Sequence, residues 1–136
     1  FAKETGMRRS EILKLKWTNF KNGLACLKDT KNGDERTIPL TKKANSILDN
    51  MERKHLNVFP ISTQCLKSAW RRVVDKSKVK NLRFHDLRHE AISSFFEKGL
   101  SVPEVALISG HKDLRQLFQY THLKVDRLVI NHKKIF

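Results

Sequence analysis

Apolar residues at Ile12, Leu13, Leu15 and Trp17, set among charged neighbours, follow a roughly helix-like period across Arg8–Trp17 (RRSEILKLKW). Gly6, just upstream, predicts a turn leading into that helix. Two strand-like runs follow, Leu24 to Thr30 and Glu35 to Leu40, joined by TKNGDE. Asn32-Gly33 between them signals a hairpin, because both central residues must accept positive φ. Thr41 is a plausible N-cap for an amphipathic helix in TKKANSILDNMER. NVFPIS breaks the pattern, and Ser62 to Lys76 reads as the next helix. Phe84 to Lys98 reads as a long helix with Ala91, Ile92, Phe95 and Phe96 inward, closed by Gly99. Ser101 begins a short helix over Val102–Ser109, with Pro103 in its first turn and Gly110 at its end. Asp113 caps a segment that carries Tyr120, and Lys124 to Phe136 patterns as a separate amphipathic helix. The expected class is mostly α (α+β), helices with one small antiparallel sheet.

Composition sharpens this in three ways. A chain of 136 residues with 39% hydrophobic content suits one domain with a buried core. It opens FAKETGMRRS, apparently within a helix and without an initiator Met, so a domain of something longer is expected. The formal charge is +14, with Lys and Arg spread through every segment, as on a surface that neutralises phosphates. A merely soluble basic surface and a ribosomal-type RNA binder are the alternatives to a DNA partner. Cys26 and Cys65 stand far apart with no CxxC and no ligand spacing. That fits a reducing cytoplasm and argues against a disulfide framework or a zinc site. No apolar run approaches the roughly 20 residues of a membrane span, and no signal peptide is visible. The expected location is cytoplasmic, with no membrane partner.

Four features ask for a common cause: TGMR at Thr5–Arg8, TKNG at Thr30–Gly33, HDLRH at His85–His89, and Gly110-His111 followed nine residues on by Tyr120. Tyr120 is the only tyrosine in a chain with eight phenylalanines. In this combination the chain resembles the catalytic domain of the tyrosine recombinases, the phage-integrase family. That family's pattern is an Arg after a TG-type turn, a hairpin Lys, a His-x-x-Arg box, a Gly-His, and a Tyr nine residues later. Each element is matched in order, from Thr5 to Leu123. A lone His-x-x-Arg is weak evidence; five spaced elements are strong.

The residue types also make chemical sense by themselves. Cleaving a phosphodiester at phosphorus adds negative charge to the non-bridging oxygens as the nucleophile approaches. Two guanidiniums, Arg8 and Arg88, can clamp those oxygens through forked, charge-assisted bonds. His85 lies three residues before Arg88 and shares its helical face, where it can donate to phosphate or assist proton movement. His111 is placed to donate to another phosphoryl oxygen. Tyr120 is the candidate nucleophile; a free phenol has a pKa of about 10, and nearby cations are expected to favour phenolate. Its proton can be shared with His85 or a phosphate oxygen. Glu11, one turn after Arg8, either orients that guanidinium or forms an ordinary surface ion pair. Lys67, Arg71 and Arg72 sit in a basic run and either grip DNA backbone or form a solvated face. Trp70 is a base-stacking or core aromatic. His89 is read as supporting or structural, and His122 is unassigned.

The resemblance implies more. It makes Lys31 the general acid for the leaving 5′-oxygen, although Lys28 and Lys42 are nearby rivals and a hairpin Lys ordinarily blocks a sheet edge. It implies an integrase-like fold with three strands. It implies site-specific recombination of double-stranded DNA, integration or excision, through a 3′-phosphotyrosyl intermediate resolved by a 5′-hydroxyl. A tetramer on two DNA sites follows from it, with the isolated domain possible as a monomer. Lys124 to Phe136 docks either on a neighbour or back on its own domain. No cofactor and no metal are expected, since the cations come from side chains. Two other readings stand beside this one: type IB topoisomerase-like relaxation, and a non-catalytic basic DNA-binding module. The second draws on a faint helix-turn-helix likeness in SVPEVALISGHKDLRQLFQYTHL but leaves Arg8 and the hairpin Lys unexplained.

Overall fold

The computed structural model describes residues 1–28, 33 and 35–121. Six helices and three strands are defined within them: α1 (Ala2–Thr5), α2 (Arg9–Lys14), β1 (Phe20–Lys21), β2 (Leu24–Leu27), β3 (Arg36–Pro39), α3 (Lys42–Asp49), α4 (Thr63–Ser77), α5 (Asp86–Glu97) and α6 (Val102–Ser109). Two 3-10 segments, Trp17–Asn19 and Leu114–Tyr120, complete the set. The mostly helical class and the small antiparallel sheet are as expected.

The sheet runs β1-β2-β3, antiparallel throughout, with Leu27 opposite Arg36 and Ala25 opposite Ile38. Strands pair on either side of the expected hairpin, but both are shorter than the sequence reading. Thr30, Lys31, Asn32 and Asp34 lie outside the described residues. The third strand comes from a signal the sequence reading passed over. Asn22-Gly23, with φ of 51° and 72°, is a second Asn-Gly turn and connects Lys21 to its partner Leu24.

The helix expected over Arg8–Trp17 stops at Lys14 instead. Leu15 turns extended, is 1% exposed, and its carbonyl accepts from the Val58 amide at 2.9 Å. Trp17 N–H donates to the Leu56 carbonyl at 3.2 Å, so Leu15 is buried and Trp17 half-buried by a strand-like pairing rather than by a helix face. α3 likewise ends at Asp49, short of Arg53; the Asn50 side-chain amide donates to the Ser46 carbonyl at 2.7 Å, an alternative to continued helix. Thr41 caps α3 as expected, its hydroxyl accepting from Ala44 N–H at 3.1 Å. Ser101 and Glu104 form a capping box on α6.

Two apolar clusters form the core. One gathers Met7, Ile12, Leu15, Ala25, Leu27, Ile38, Leu48 and Val58 around the sheet. The other gathers Ala91, Ile92, Phe95 and Phe96 of α5, the four residues expected inward, with Val105 and Leu117. Ile108 of α6 packs against both, so α6 bridges the sheet half to the helical half. α1 packs on α5, and α4 lies outermost with no buried residue.

Candidate active site

Arg88, on α5, is only 4% exposed. Its Nη1 donates to the Gly6 carbonyl at 2.6 Å and its Nη2 to the Ser109 carbonyl at 2.8 Å. Gly6 can offer that carbonyl because it closes α1 in the left-handed conformation, φ 63°. A guanidinium has five N–H donors, so two carbonyls fix its plane and leave the others for a substrate oxygen. Burial, then the like charge of Arg8, lowers its pKa to about 10, and it remains a cation at neutral pH.

Arg8 stands at the N-cap of α2, with its backbone N–H on Glu11 Oε2 at 2.7 Å and its Nη1 on Oε1 at 3.2 Å. Glu11 is not the surface residue of an ordinary ion pair. It is 4% exposed, and its main partner is Arg36 of β3, whose Nη1 and Nη2 fork onto the two carboxylate oxygens at 2.8 Å each. Burial pushes the Glu11 carboxyl up, but the bonds from Arg36 and Arg8 outweigh it and hold the pKa below 4.5. Arg36 Nε also donates to the Ile108 carbonyl at 3.0 Å. One carboxylate therefore ties α2 to the sheet, and one guanidinium ties the sheet to the end of α6.

That end carries His111. Gly110 adopts φ 73°, and a Cβ there would lie 2.6 Å from Arg36 Nη1, so glycine is required by both conformation and space. His111 Nδ1 lies 2.6 Å from the hydroxyl of fully buried Ser109. With that hydroxyl donating to Nδ1, the ring proton sits on Nε2, free to point at an acceptor. Burial, then Arg88, Arg8 and Arg36, depresses the His111 pKa to about 4, so the ring is neutral at neutral pH.

Tyr120 ends the second 3-10 segment, which Asp113 caps by accepting from Arg115 N–H at 3.0 Å. A neighbouring cation favours phenolate as expected, since Arg88 pulls the Tyr120 pKa down, but burial is the larger effect and leaves it raised. The proton's partner also differs from the expected His85. His89 Nδ1 is hydrogen-bonded to the Tyr120 hydroxyl, and the two rings are nearly parallel, 24° apart with centroids at 5.8 Å. His85, at the N-cap of α5, meets His89 edge to face at 5.0 Å. Burial, then the neighbouring His89 and Arg88, lowers its pKa.

The remaining candidates divide. Lys67 and Arg71 line a groove of about 460 Å³ with Arg9, Trp70, Arg83 and His85. Arg72 does not line it. Trp70 is neither free to stack nor fully buried: its Nε1 donates to the Leu82 carbonyl at 3.1 Å and its ring meets Phe84 edge to face. Lys31, His122 and Lys124 to Phe136 lie outside the described residues. Among the described residues no three His, Cys, Asp or Glu side chains converge as metal ligands, and no helix is long and apolar enough to cross a membrane.

Arg36 and Ser109 were missed by the sequence reading. For Arg36 a signal existed: it shares a strand face with Ile38, which is fully buried, so alternation aims it inward. A charged residue at an inward position needs a partner. Ser109 gave no comparable sign, because its partner is fixed only by the turn at Gly110.

Known proteins resemble this chain in sequence and in fold. A family model described as the phage integrase family matches residues 1–127. A shufflon-specific DNA recombinase of Escherichia coli is 46% identical over 132 residues, covering 94% of this chain and 34% of that protein. A putative integrase/recombinase of Haemophilus influenzae is 39% identical over 119 residues, 84% of this chain and 39% of that protein. Among solved structures, the catalytic domain of bacteriophage HP1 integrase superposes with a TM-score of 0.72 at 22% identity, covering 89% of this chain and 70% of that one. A XerA recombinase superposes at 0.71 with 20% identity, covering 97% and 53%. These superpositions establish the fold. The chain spans about a third to a half of the length of the curated relatives it matches.

Proposed function

The chain belongs to the phage integrase family, and from that premise we propose that it is the catalytic domain of a longer site-specific DNA recombinase. Tyr120 attacks a phosphodiester of double-stranded DNA, forms a 3′-phosphotyrosyl link and releases a 5′-hydroxyl. A 5′-hydroxyl of the partner strand then reverses the step, rejoining DNA in a new combination. Arg88 and Arg8 hold the non-bridging oxygens, with His85 beside them, and His111 donates through Nε2. Lys31 protonates the leaving oxygen, a role that rests on family resemblance. Lys67 and Arg71, which line the groove along α4, hold the backbone, and Arg72, off that groove, takes no part. The assembly is a tetramer on two DNA sites in the cytoplasm, without metal or cofactor.

One observation supports this reading above the others: the anchored guanidinium of Arg88 acts electrostatically on both Tyr120 and His111, with Arg8 acting on Arg88 and His111. A non-catalytic module has no use for a buried cation held by two carbonyls beside a lone tyrosine. The test is a nicked suicide duplex incubated with the full-length protein. A covalent protein–DNA adduct is expected and should vanish in Tyr120→Phe; intact binding with no adduct overturns the reading. Two-site substrates with sequenced junctions separate recombination from relaxation of a single supercoiled plasmid.

A further inference from the structure

We propose that His89, rather than His85, is the catalytic base that takes the proton from Tyr120. The inference rests on the recombinase reading above and adds a residue to it. His89 is the side chain whose nitrogen meets the phenolic oxygen, with Nδ1 and the hydroxyl hydrogen-bonded and the rings nearly parallel. Both ends of that contact are fixed. His89 follows buried Arg88 on α5, and Tyr120 packs against the same cluster as Phe95 and Phe96. His85 has no such contact with the hydroxyl: it lines the groove along α4 with Lys67 and Arg71, feels the charge of Arg88 and Arg8, and meets His89 edge to face. The two imidazoles thus serve different sides of the site, His89 the nucleophile and His85 the bound strand.

The chemistry balances with His89 in this role. For the hydroxyl to donate, Nδ1 must be the bare nitrogen, with the ring proton on Nε2. The Tyr120 proton passes to Nδ1 as the phenolic oxygen bonds to phosphorus. The phosphorus–5′-oxygen bond breaks, and that oxygen takes a proton from a separate acid. On rejoining, a 5′-hydroxyl gives its proton back to that acid and attacks phosphorus. The phosphorus–phenolic bond breaks, and His89 returns its proton to Tyr120. The transient imidazolium stands beside the added negative charge of the pentavalent phosphorus. Burial supports the need for a base, since it holds the phenol in its protonated form despite Arg88. The groups facing His89 are His85 of its own helix, Tyr120, and His111 after α6; Glu90, next along, turns to Lys3 of α1 at 3.3 Å.

The experiment measures single-turnover adduct formation by the full-length protein on suicide duplexes. One carries an ordinary 5′-oxygen at the cleavage point; the other carries a 5′-bridging sulfur, which departs without a proton. His89→Gln is expected to slow cleavage by roughly 100-fold or more, equally on both duplexes, with the rate recovering as pH rises toward phenol ionisation. Lys31→Ala is expected to be rescued by sulfur instead. Wild-type speed in His89→Gln, rescue of it by sulfur, or this signature in His85→Gln overturns the assignment. Should His89→Gln fail to fold, Tyr120→3-fluorotyrosine replaces it. A pH–rate midpoint that stays in place supports His89 as base, and one that follows the more acidic phenol overturns it. If the wild-type protein forms no Tyr120-dependent adduct at all, the recombinase reading fails and the assignment of His89 falls with it; a normal adduct that His89→Gln leaves untouched overturns the assignment alone.

Discussion

A single buried hydroxyl decides which nitrogen His111 offers to substrate. Ser109→Ala removes the 2.6 Å partner of Nδ1 and lets the ring choose its tautomer and tilt. Adduct formation should fall roughly tenfold, the usual scale for losing the group that orients a reactive imidazole, while DNA binding by gel shift stays near wild type. The low pKa of His111 has a second consequence. Its value in the fold, about 4, lies below the ordinary 6.5, so between those values the unfolded chain binds more protons. Stability must then fall as pH drops from about 6.5 to about 4. His85 is shifted the same way, whereas Glu11, held below 4.5, begins to lose its contribution only once pH falls past about 4.5. Melting temperatures across pH 7 to 4 should therefore decline less in His111→Gln than in wild type; parallel curves would contradict the account. Five of the residues around this chemistry announce themselves in sequence because each sits in a local signature: Arg8 after Thr5-Gly6, His85 and Arg88 in HDLRH, His111 after Gly110, Tyr120 nine residues on. The His89–Tyr120 and Arg36–Glu11 contacts join residues 31 and 25 apart, and no local pattern states them.

At the scale of elements, the Arg36–Glu11 fork is the joint that holds α2, β3 and the end of α6 in one arrangement. Arg36→Met leaves a buried carboxylate with only Arg8 beside it. Breaking one side of a buried pair costs ~3 kcal/mol or more, read as a lower denaturant midpoint at unchanged slope. Arg36→Met combined with Glu11→Leu should recover part of that loss, because neither charge is then stranded; Arg8, which is less buried, can turn to solvent. Gly110→Ala probes the same joint. It should lose about 1–3 kcal/mol from its backbone conformation, and more because the new methyl meets Arg36. Gly99→Ala, at φ 95° with nothing within 4 Å, isolates the backbone part. Elements were legible where burial follows one helix face, as in α5, whose four expected inward residues are buried. They were not where tertiary pairing overrides local period. Leu15 and Trp17 continue a helical rhythm, yet their backbones pair with Val58 and Leu56. A hydrophobic pattern records that a residue is buried, not which geometry buries it.

For the whole molecule, the proposed function asks where a charge of +14 would meet the DNA. The fold answers by spacing on α4. Lys67, Trp70, Arg71 and Val74 fall at i, i+3, i+4 and i+7, one stripe of the helix, and all four line the groove that His85 also lines. Arg72, one residue beyond Arg71, falls off that stripe. On the proposed function, a strand lying in the groove meets the first two cations and not the third. Each phosphate neutralised adds about 0.9 to the slope of log binding constant against log salt. Lys67→Gln and Arg71→Gln should each reduce that slope by about this amount and weaken all sequences alike, whereas Arg72→Gln should leave it within scatter. The exposed Asp75 stands 4.0 Å from Arg71. Such a pair is worth little to folding, but its carboxylate repels an approaching phosphate. Asp75→Asn should therefore tighten binding at low salt, with the gain shrinking as salt rises. Fluorescence anisotropy titrations over a salt series measure all four variants. An equal loss of slope in Arg72→Gln would mean that the strand crosses α4 rather than running along it.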